Sequence, residues 1–214
     1  MPVTINGNGS ITGLAVGGLP DGCVDADTLA AGAAVPADGS ITTAKLASGA
    51  ITAATLPTGS VVQRIQNLTY TRDATASTTY VATSHFVSIT PTLASSKILI
   101  NFSSMINTNG TNFRAYIDVY RSINGGTFAG IAPQGSANTT GSSTSAGFIS
   151  EVRADASRIQ VPFNIHYLDS PSYSLGNAIV YKLYFRSSNS AQTIELPNNN
   201  ESEPVVCMAT EIKG

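Results

Sequence analysis

From Val61 onward, apolar and polar residues alternate along the chain with a period of two. In Arg158–Tyr167, every odd-numbered position is apolar, whereas the even-numbered positions other than Pro162 are polar. Side chains of a β-strand point alternately to its two faces, so the pattern predicts a strand with one buried face. Because proline lacks an amide donor, Pro162 predicts that this strand lies at a sheet edge or contains a bulge.

The same alternation predicts more strands, which are separated by turn residues. They cover Tyr80–Ile89, Lys97–Ile106, Phe113–Ile123, Ala178–Arg186 and the shorter stretches 127–132, 145–152, 191–196 and 204–212. Asn124-Gly125 lies between two apolar runs and is a strong signal for a hairpin, because both residue types tolerate positive φ. Many short strands with regular turns predict a mainly β head, either a β-sandwich or a jelly roll.

A short repeat between Gly22 and Ser60 precedes this region. In each of three copies, an aliphatic residue precedes a leucine by five positions and a glycine follows that leucine by three; the pairs are Val24/Leu29, Ile41/Leu46 and Ile51/Leu56. Residues that cap helix starts, such as Thr42 and Thr52, and glycines that end helices, such as Gly49 and Gly59, predict small helical turns. Helical units this short are marginal alone, so they must stack on something. The nearest partner is the same stretch of another chain, which predicts an intertwined stem packed through these six aliphatic side chains.

These patterns predict two domains and an oligomer that assembles through the stem. Residues 1–60 are expected to form an attachment arm and the repeat stem, and residues 61–214 the β-sandwich head. Glycine is dense in the first twenty residues, which favours an extended arm that becomes ordered when it docks on other proteins.

The composition narrows the classes of partner. Charged residues make up 11% of the chain and the net charge is −2, against roughly 25% charged residues in average soluble proteins. The chain has no basic stripe, which argues against nucleic acid as a partner, and no apolar run long enough for membrane insertion. The N-terminus has no signal-peptide pattern, so assembly in a cytoplasm is expected. Cys23 and Cys207 are predicted to be unpaired buried thiols.

No motif predicts catalysis. His85 and His166 are the two histidines, and both are predicted to be partly exposed strand residues. The chain contains no Gly-x-Ser-x-Gly, His-Glu-x-x-His or Walker motif, and no carboxylate pair of the kind that glycosidases use stands out. We therefore expect no enzymatic activity, no metal site and no cofactor.

The polar loops predict binding rather than catalysis. Amide and hydroxyl side chains donate and accept hydrogen bonds without charge, which suits neutral polar ligands such as glycans. The candidate loop residues are Asn109, Asn112, Phe128, Asn138, Tyr173, Asn198 and Asn200. Phe128 and Tyr173 are the aromatic residues expected to be exposed near such loops. The alternative is that these loops are only solvated turns.

Several stretches of the chain resemble fibre-like proteins of tailed bacteriophages, notably those of aquatic phages. Ile11–Gly22, Val24–Leu29 and Ile41–Leu46 resemble the N-terminal stems of such proteins. The stretches similar to the β domains that follow such stems are Gly59–Gln63, Ser88–Ile100, Leu168–Pro171, Tyr181–Ser187 and Met208–Ile212. The resemblance implies a homotrimeric virion protein with an intertwined stem and a globular β head. It carries over no binding residues, because these heads differ mainly in their loops.

The expected function is therefore that of a short trimeric fibre, assembled in the host cytoplasm and located in the virion. Its arm would contact other virion proteins of the tail or capsid, and its head would contact the host surface, with polysaccharide as the ligand. Two alternatives stay open: a capsid decoration or cement protein that stabilises the shell without binding a receptor, and a depolymerase.

Overall fold

The structure, a computed structural model, describes residues 4–5, 11–12, 51–109, 113–132, 148–154, 158–197 and 203–214. The chain divides into two compact units, Met1–Ala50 and Ile51–Gly214. In the first unit, strands β1 (Thr4–Ile5) and β2 (Ile11–Thr12) form an antiparallel pair. Four of the predicted stem residues lie outside the described residues, as does Cys23, so their packing stays a prediction; the four are Val24, Leu29, Ile41 and Leu46.

The third copy of the repeat contains one 3-10 helical turn, Ala53–Thr55. Its N-cap is Thr52, as predicted, and the Thr52 amide donates a hydrogen bond to the Thr55 hydroxyl at 3.0 Å. The side chain of Ile51 is 67% exposed, and Leu56 is half-buried. The proposed packing of Ile51 and Leu56 against other chains stays a prediction.

Backbone hydrogen bonds join the end of this segment to the C-terminal residues. Gly59 has a φ of +87°, the left-handed conformation predicted for it, but it does not end the helical turn, which finishes at Thr55 with Leu56 as its C-cap. Its amide donates to the Lys213 carbonyl oxygen at 2.8 Å, and the Lys213 amide donates to the Ser60 carbonyl oxygen at 2.9 Å. The Lys213 ammonium group also donates to the Ala54 carbonyl oxygen at 2.7 Å. Gly59 and Ser60, which directly precede the first strand of the head, therefore lie beside Lys213.

The rest of the second unit is built from antiparallel strands. They are β3 (Val61–Thr69), β4 (Asp73–Thr75), β5 (Val81–Ile89), β6 (Lys97–Asn109), β7 (Phe113–Ile123), β8 (Ala129–Gly130), β9 (Ile149–Ala154), β10 (Arg158–Asp169), β11 (Ile179–Ser187), β12 (Thr193–Leu196) and β13 (Val205–Ile212).

These strands form two sheets. In the first sheet, β6 pairs along its length with β10 on one side, and with β13 and then β12 on the other; β3 continues beyond β13 and β4 beyond β12. The second sheet has the order β5–β11–β7, and β8 and β9 share the outer edge of β7. The eight longest strands thus divide as β3–β13–β6–β10 and β5–β11–β7–β9, the strand order of a jelly roll with two Greek keys. The prediction of a mainly β sandwich is confirmed.

The core lies between the sheets and is formed by the alternating apolar positions. Ile98, Ile100 and Phe102 of β6 are each 0% exposed, and the inward residues of β11 are equally buried. Cys207 is buried with a free thiol, as predicted, and burial raises the pKa of that thiol to about 12. The alternation therefore identified the inward faces of β6, β10 and β11, whereas five consecutive residues of β7 (115–119) and three of β12 (194–196) are buried.

Strand β3 was not predicted from the sequence. Among the described strands it pairs with β13 alone, and all of its residues are exposed or half-buried. An edge strand that buries so little of its surface does not need a regular apolar face, and Val61–Thr69 has none.

Two local predictions are confirmed. Among the strands that the structure describes, β10 pairs with β6 alone and without a register shift, so Pro162, opposite Met105, lies in an unbulged edge strand. Asn124 and Gly125 have φ values of 52° and 72°, and the Gly126 amide donates to the Ile123 carbonyl oxygen at 3.0 Å. Positive φ at both central residues defines a type I′ turn, which joins β7 to β8. No helix in the described part of the chain is long and apolar enough to cross a membrane.

Candidate functional site

The outer surface of the second sheet carries a cluster of aromatic and charged side chains. In β7 and β11, most of the residues that alternate with the core positions are large and polar or aromatic, so both faces of these strands carry large side chains. We call this surface the tyrosine face; its residues are Tyr80, Phe86, Tyr116, Asp118, Tyr120, Phe128, Lys182, Tyr184 and Arg186.

Aromatic rings pack against one another across this face. Tyr184 lies opposite Asp118, and Lys182 lies opposite Tyr120, so Tyr120 and Tyr184 are diagonal neighbours on adjacent strands. Their rings stack with centroids 3.9 Å apart and planes 20° apart. The ring of Tyr80 is 6.1 Å from that of Tyr120, and the ring of Phe128 is 6.1 Å from that of Tyr184. Together the rings form a continuous half-buried aromatic platform.

Two cationic side chains lie among these rings. The Lys182 ammonium group is 5.5 Å from the centroid of the Phe86 ring and 5.4 Å from that of Phe128. The Arg186 guanidinium carbon is 3.9 Å from the centroid of Tyr116 and 5.2 Å from that of Tyr80. Each distance is within the range of a cation–π interaction, so the rings hold both cations at the surface of the sheet.

Asp118 lies beneath this surface and is 4% exposed. Burial raises the pKa of its carboxyl group to about 6, although the amides of Val119, at 2.7 Å, and Phe148 oppose the shift. A Cβ at Gly130 would lie 3.2 Å from a carboxylate oxygen of Asp118, so any larger residue there would require that carboxylate to move by a few tenths of an ångström.

The tyrosines supply hydrogen-bond donors as well as rings. Burial raises the pKa of Tyr80, Tyr120 and Tyr184 above the ordinary value of 10.0, so these phenols stay protonated at neutral pH. The Tyr80 hydroxyl oxygen is buried and makes no hydrogen bond with a described group, although the neighbouring Arg186 side chain partly opposes the rise in its pKa. Flat rings edged with hydroxyl groups suit a ligand that presents an apolar face and many polar atoms, and a sugar ring has both.

The predicted loop residues do not meet in one place. Phe128 is half-buried and belongs to the tyrosine face. Asn109 is the last residue of β6, and its side chain lies outside what the structure describes. Asn112, Asn138, Asn198 and Asn200 lie outside the described residues, so their part in ligand binding stays a prediction.

Tyr173 lines a different feature, an open groove of about 360 Å³ between the β5–β6 and β10–β11 loops. Its ring packs against the core. Its hydroxyl donates to the Leu93 carbonyl oxygen at 2.6 Å and accepts from the Ser96 amide at 2.9 Å. Tyr173 therefore ties two loops together, and ligand binding by it stays a prediction.

The prediction of a partly exposed His85 is wrong, whereas His166 is exposed as expected. His85 shares the inward face of β5 with Val87 and Ile89 and is 0% exposed. Its Nδ1 lies 2.5 Å from the Thr69 hydroxyl, and its Nε2 lies 3.1 Å from the Leu196 carbonyl oxygen and 3.2 Å from the Asp73 carboxylate. Burial lowers the pKa of this imidazole. The ring thus connects three elements inside the sandwich.

The aromatic residues of β7 and β11 were not identified as a site from the sequence. The signal was present, because Tyr116, Tyr120 and Tyr184 occupy the positions that face away from the core, where a solvated sheet usually carries small polar residues.

Among the described residues, no group of three or more histidine, cysteine, aspartate or glutamate side chains could hold a metal ion.

Comparison with known proteins identifies no family. No protein-family model matches the chain, and no curated protein matches it. Among solved structures, 71% of the chain is similar to 36% of a chain in "Structure of infectious bursal disease virus Gx strain", at 11% sequence identity and a TM-score of 0.23. A likeness this low carries no argument about fold or function.

Proposed function

We propose that the chain is a short homotrimeric fibre of a tailed-bacteriophage virion whose head contacts glycans on the host surface. Residues 1–60 form the arm and stem, and the sandwich carries the ligand site. The observation that carries the proposal is the tyrosine face, because stacked, half-buried rings with protonated hydroxyl groups lie on the outer side of one sheet. The resemblance of the N-terminal repeat to the stems of phage fibres agrees with this function, as does the low charge of the chain.

Removing the stacked ring should abolish most glycan binding. We expect Tyr184→Ala to weaken binding roughly tenfold or more, because a sugar would lose an aromatic surface worth about 2 kcal/mol. The full chain and its variants would be tested on an array of bacterial surface polysaccharides and on a panel of bacterial cells. Tyr184→Phe keeps the ring and removes only the hydroxyl, so it should retain most of the affinity.

The matched control is Tyr70→Ala, which removes a tyrosine that is 52% exposed next to the other sheet. It should leave binding unchanged. The proposal fails if the wild-type chain binds no polysaccharide and no cell, or if Tyr70→Ala and Tyr184→Ala weaken binding equally.

The trimer has its own test. We expect light scattering after gel filtration to give the mass of three chains for the full-length protein. Leu46→Asp should weaken the assembly, because it puts a charge in the proposed stem contact, whereas Ser48→Asp should not, since that position is not part of the aliphatic repeat. A monomeric full-length chain would mean that the repeats stack within one chain.

Capsid decoration is the second candidate, and a separate observation favours it. Several large apolar side chains of the first sheet and the segment after β3 are exposed, among them Leu68 (45%), Tyr70 (52%) and Leu168 (45%). Exposed apolar residues of this size suit contact with another protein. Binding of the full chain to empty capsids, with a rise in the temperature at which they break and no binding to cells, would support decoration instead.

A further inference from the structure

The tyrosine face is cationic at its surface, although the whole chain has a net charge of −2. Lys182 and Arg186 lie on the same side of β11, and Tyr184 lies between them. The carboxylate of Asp118 is the one acid in the set of residues that defines the face, and it is 4% exposed. The two cations are therefore more accessible to a ligand on this face than the buried carboxylate is.

Lys182 is the cation best placed for a ligand. Its ammonium group lies near two aromatic rings and makes no salt bridge with any side chain that the structure describes. Rings on two sides displace water, and a charge in a less polar environment interacts more strongly with an opposite charge. The Lys182 side chain is half-buried, so its conformational freedom is already restricted. It therefore loses little entropy when a ligand binds.

Arg186 extends the positive surface along the same strand. Residues four positions apart on a strand are separated by roughly 13 Å. This distance is too long for one sugar ring and fits an oligosaccharide. The order along the strand is cation, aromatic ring, cation, which matches a polymer that presents acid groups at intervals with sugar rings between them.

We infer that the tyrosine face binds an acidic polysaccharide, with Lys182 paired to a sugar carboxylate and a neighbouring sugar ring stacked on Tyr184. This inference rests on the proposed function and names its ligand class. Arg186 adds positive potential for a second acid group. The affinity falls as the salt concentration rises, because the added ions screen the charged groups.

Two probes test the inference: oligomers of polygalacturonate, and the same oligomers as methyl esters, which lack the negative charge and carry an added methyl group at each acid. The full-length chain should bind the acid form about tenfold more tightly than the ester, the effect of one hydrogen bond to a charged group. Lys182→Gln should lose that preference, because it should weaken binding of the acid form about tenfold more than binding of the ester. Lys182→Arg keeps the charge and should retain the preference.

Lys97→Gln is the matched control, because it removes an exposed lysine from the other sheet. Lys97→Gln should leave the preference for the acid form intact. If Lys97→Gln and Lys182→Gln reduce this preference equally, the polyanion responds only to the overall charge of the protein, and the inference is overturned. Equal affinity of the wild-type chain for the two probes would also overturn it. If neutral polysaccharides bind in a manner that depends on Tyr184, the proposed function stands without its acidic ligand. If no polysaccharide of either kind binds and no cell binds, both fail.

Discussion

Replacement of Glu211 by glutamine should lower the free energy of unfolding by about 3 kcal/mol, because a buried acceptor becomes partly a donor. The Glu211 side chain is 0% exposed. Its two oxygens accept hydrogen bonds from the amides of Thr92 and Leu93, from the hydroxyl of Ser96 and from the side-chain amide of Gln63, at distances from 2.7 to 3.1 Å. Glutamine would direct its NH₂ group at one of these sets of donors.

Chemical denaturation of the full-length protein measures this loss. Thr92→Val is a graded control, because it removes one hydroxyl that donates at 3.2 Å and keeps the Thr92 amide; it should cost at most about 1 kcal/mol. A loss no larger in Glu211→Gln than in Thr92→Val would show that the carboxylate does not hold the β5–β6 loop.

The same carboxylate should make stability depend on pH. Burial alone would raise the pKa of Glu211, but the hydrogen bonds from Gln63, Ser96, Thr92 and Leu93 outweigh it and lower the pKa below the ordinary value of 4.5. A carboxyl group whose pKa is lower in the folded state stabilises the fold above the unfolded value and stops doing so as the pH falls through the folded value. The stability difference between wild type and Glu211→Gln should therefore be full at neutral pH and shrink as the solution is acidified below pH 4.5.

The buried faces of the strands were predictable because alternation follows directly from the pleat of a β-strand. Ile98, Ile100 and Phe102 are buried as their spacing requires. The same alternation places His85 on the inward face of β5, because Val87 and Ile89 follow it at intervals of two residues. A polar residue type favours exposure, but the position of His85 decides its burial, and hydrogen-bond partners inside the sandwich satisfy both ring nitrogens.

The sites could not be predicted, because they depend on which strands pair and in which register. Tyr120 and Tyr184 lie 64 positions apart and stack only because β7 and β11 are neighbours with Asp118 opposite Tyr184. Glu211 likewise meets Gln63 across the β3–β13 pair. Short-range patterns contain no information about such pairings, whereas the turn at Asn124-Gly125 is local and was predicted.

Asp169→Ala should destabilise the fold by about 3 to 5 kcal/mol, because it removes the acceptor of two partners at once. Asp169 of β10 is 6% exposed. Arg121 of β7 donates to its two carboxylate oxygens at 2.8 and 2.6 Å, and the fully buried Tyr181 hydroxyl of β11 donates to one of them at 2.8 Å. Since β10 belongs to the first sheet and the other two strands to the second, this carboxylate links the sheets.

A double-mutant cycle separates the ion pair from the hydroxyl group. Tyr181→Phe removes only the Tyr181 hydroxyl and should cost about 1 kcal/mol. Arg121→Met combined with Asp169→Ala should be less damaging than the sum of the two single changes by about 1 to 3 kcal/mol, because residues in one network do not act additively. Additive losses would mean that Arg121 and Asp169 stabilise the protein independently. A coupling energy in the expected range would mean that this pair stabilises the contact between the two sheets, in addition to the apolar core.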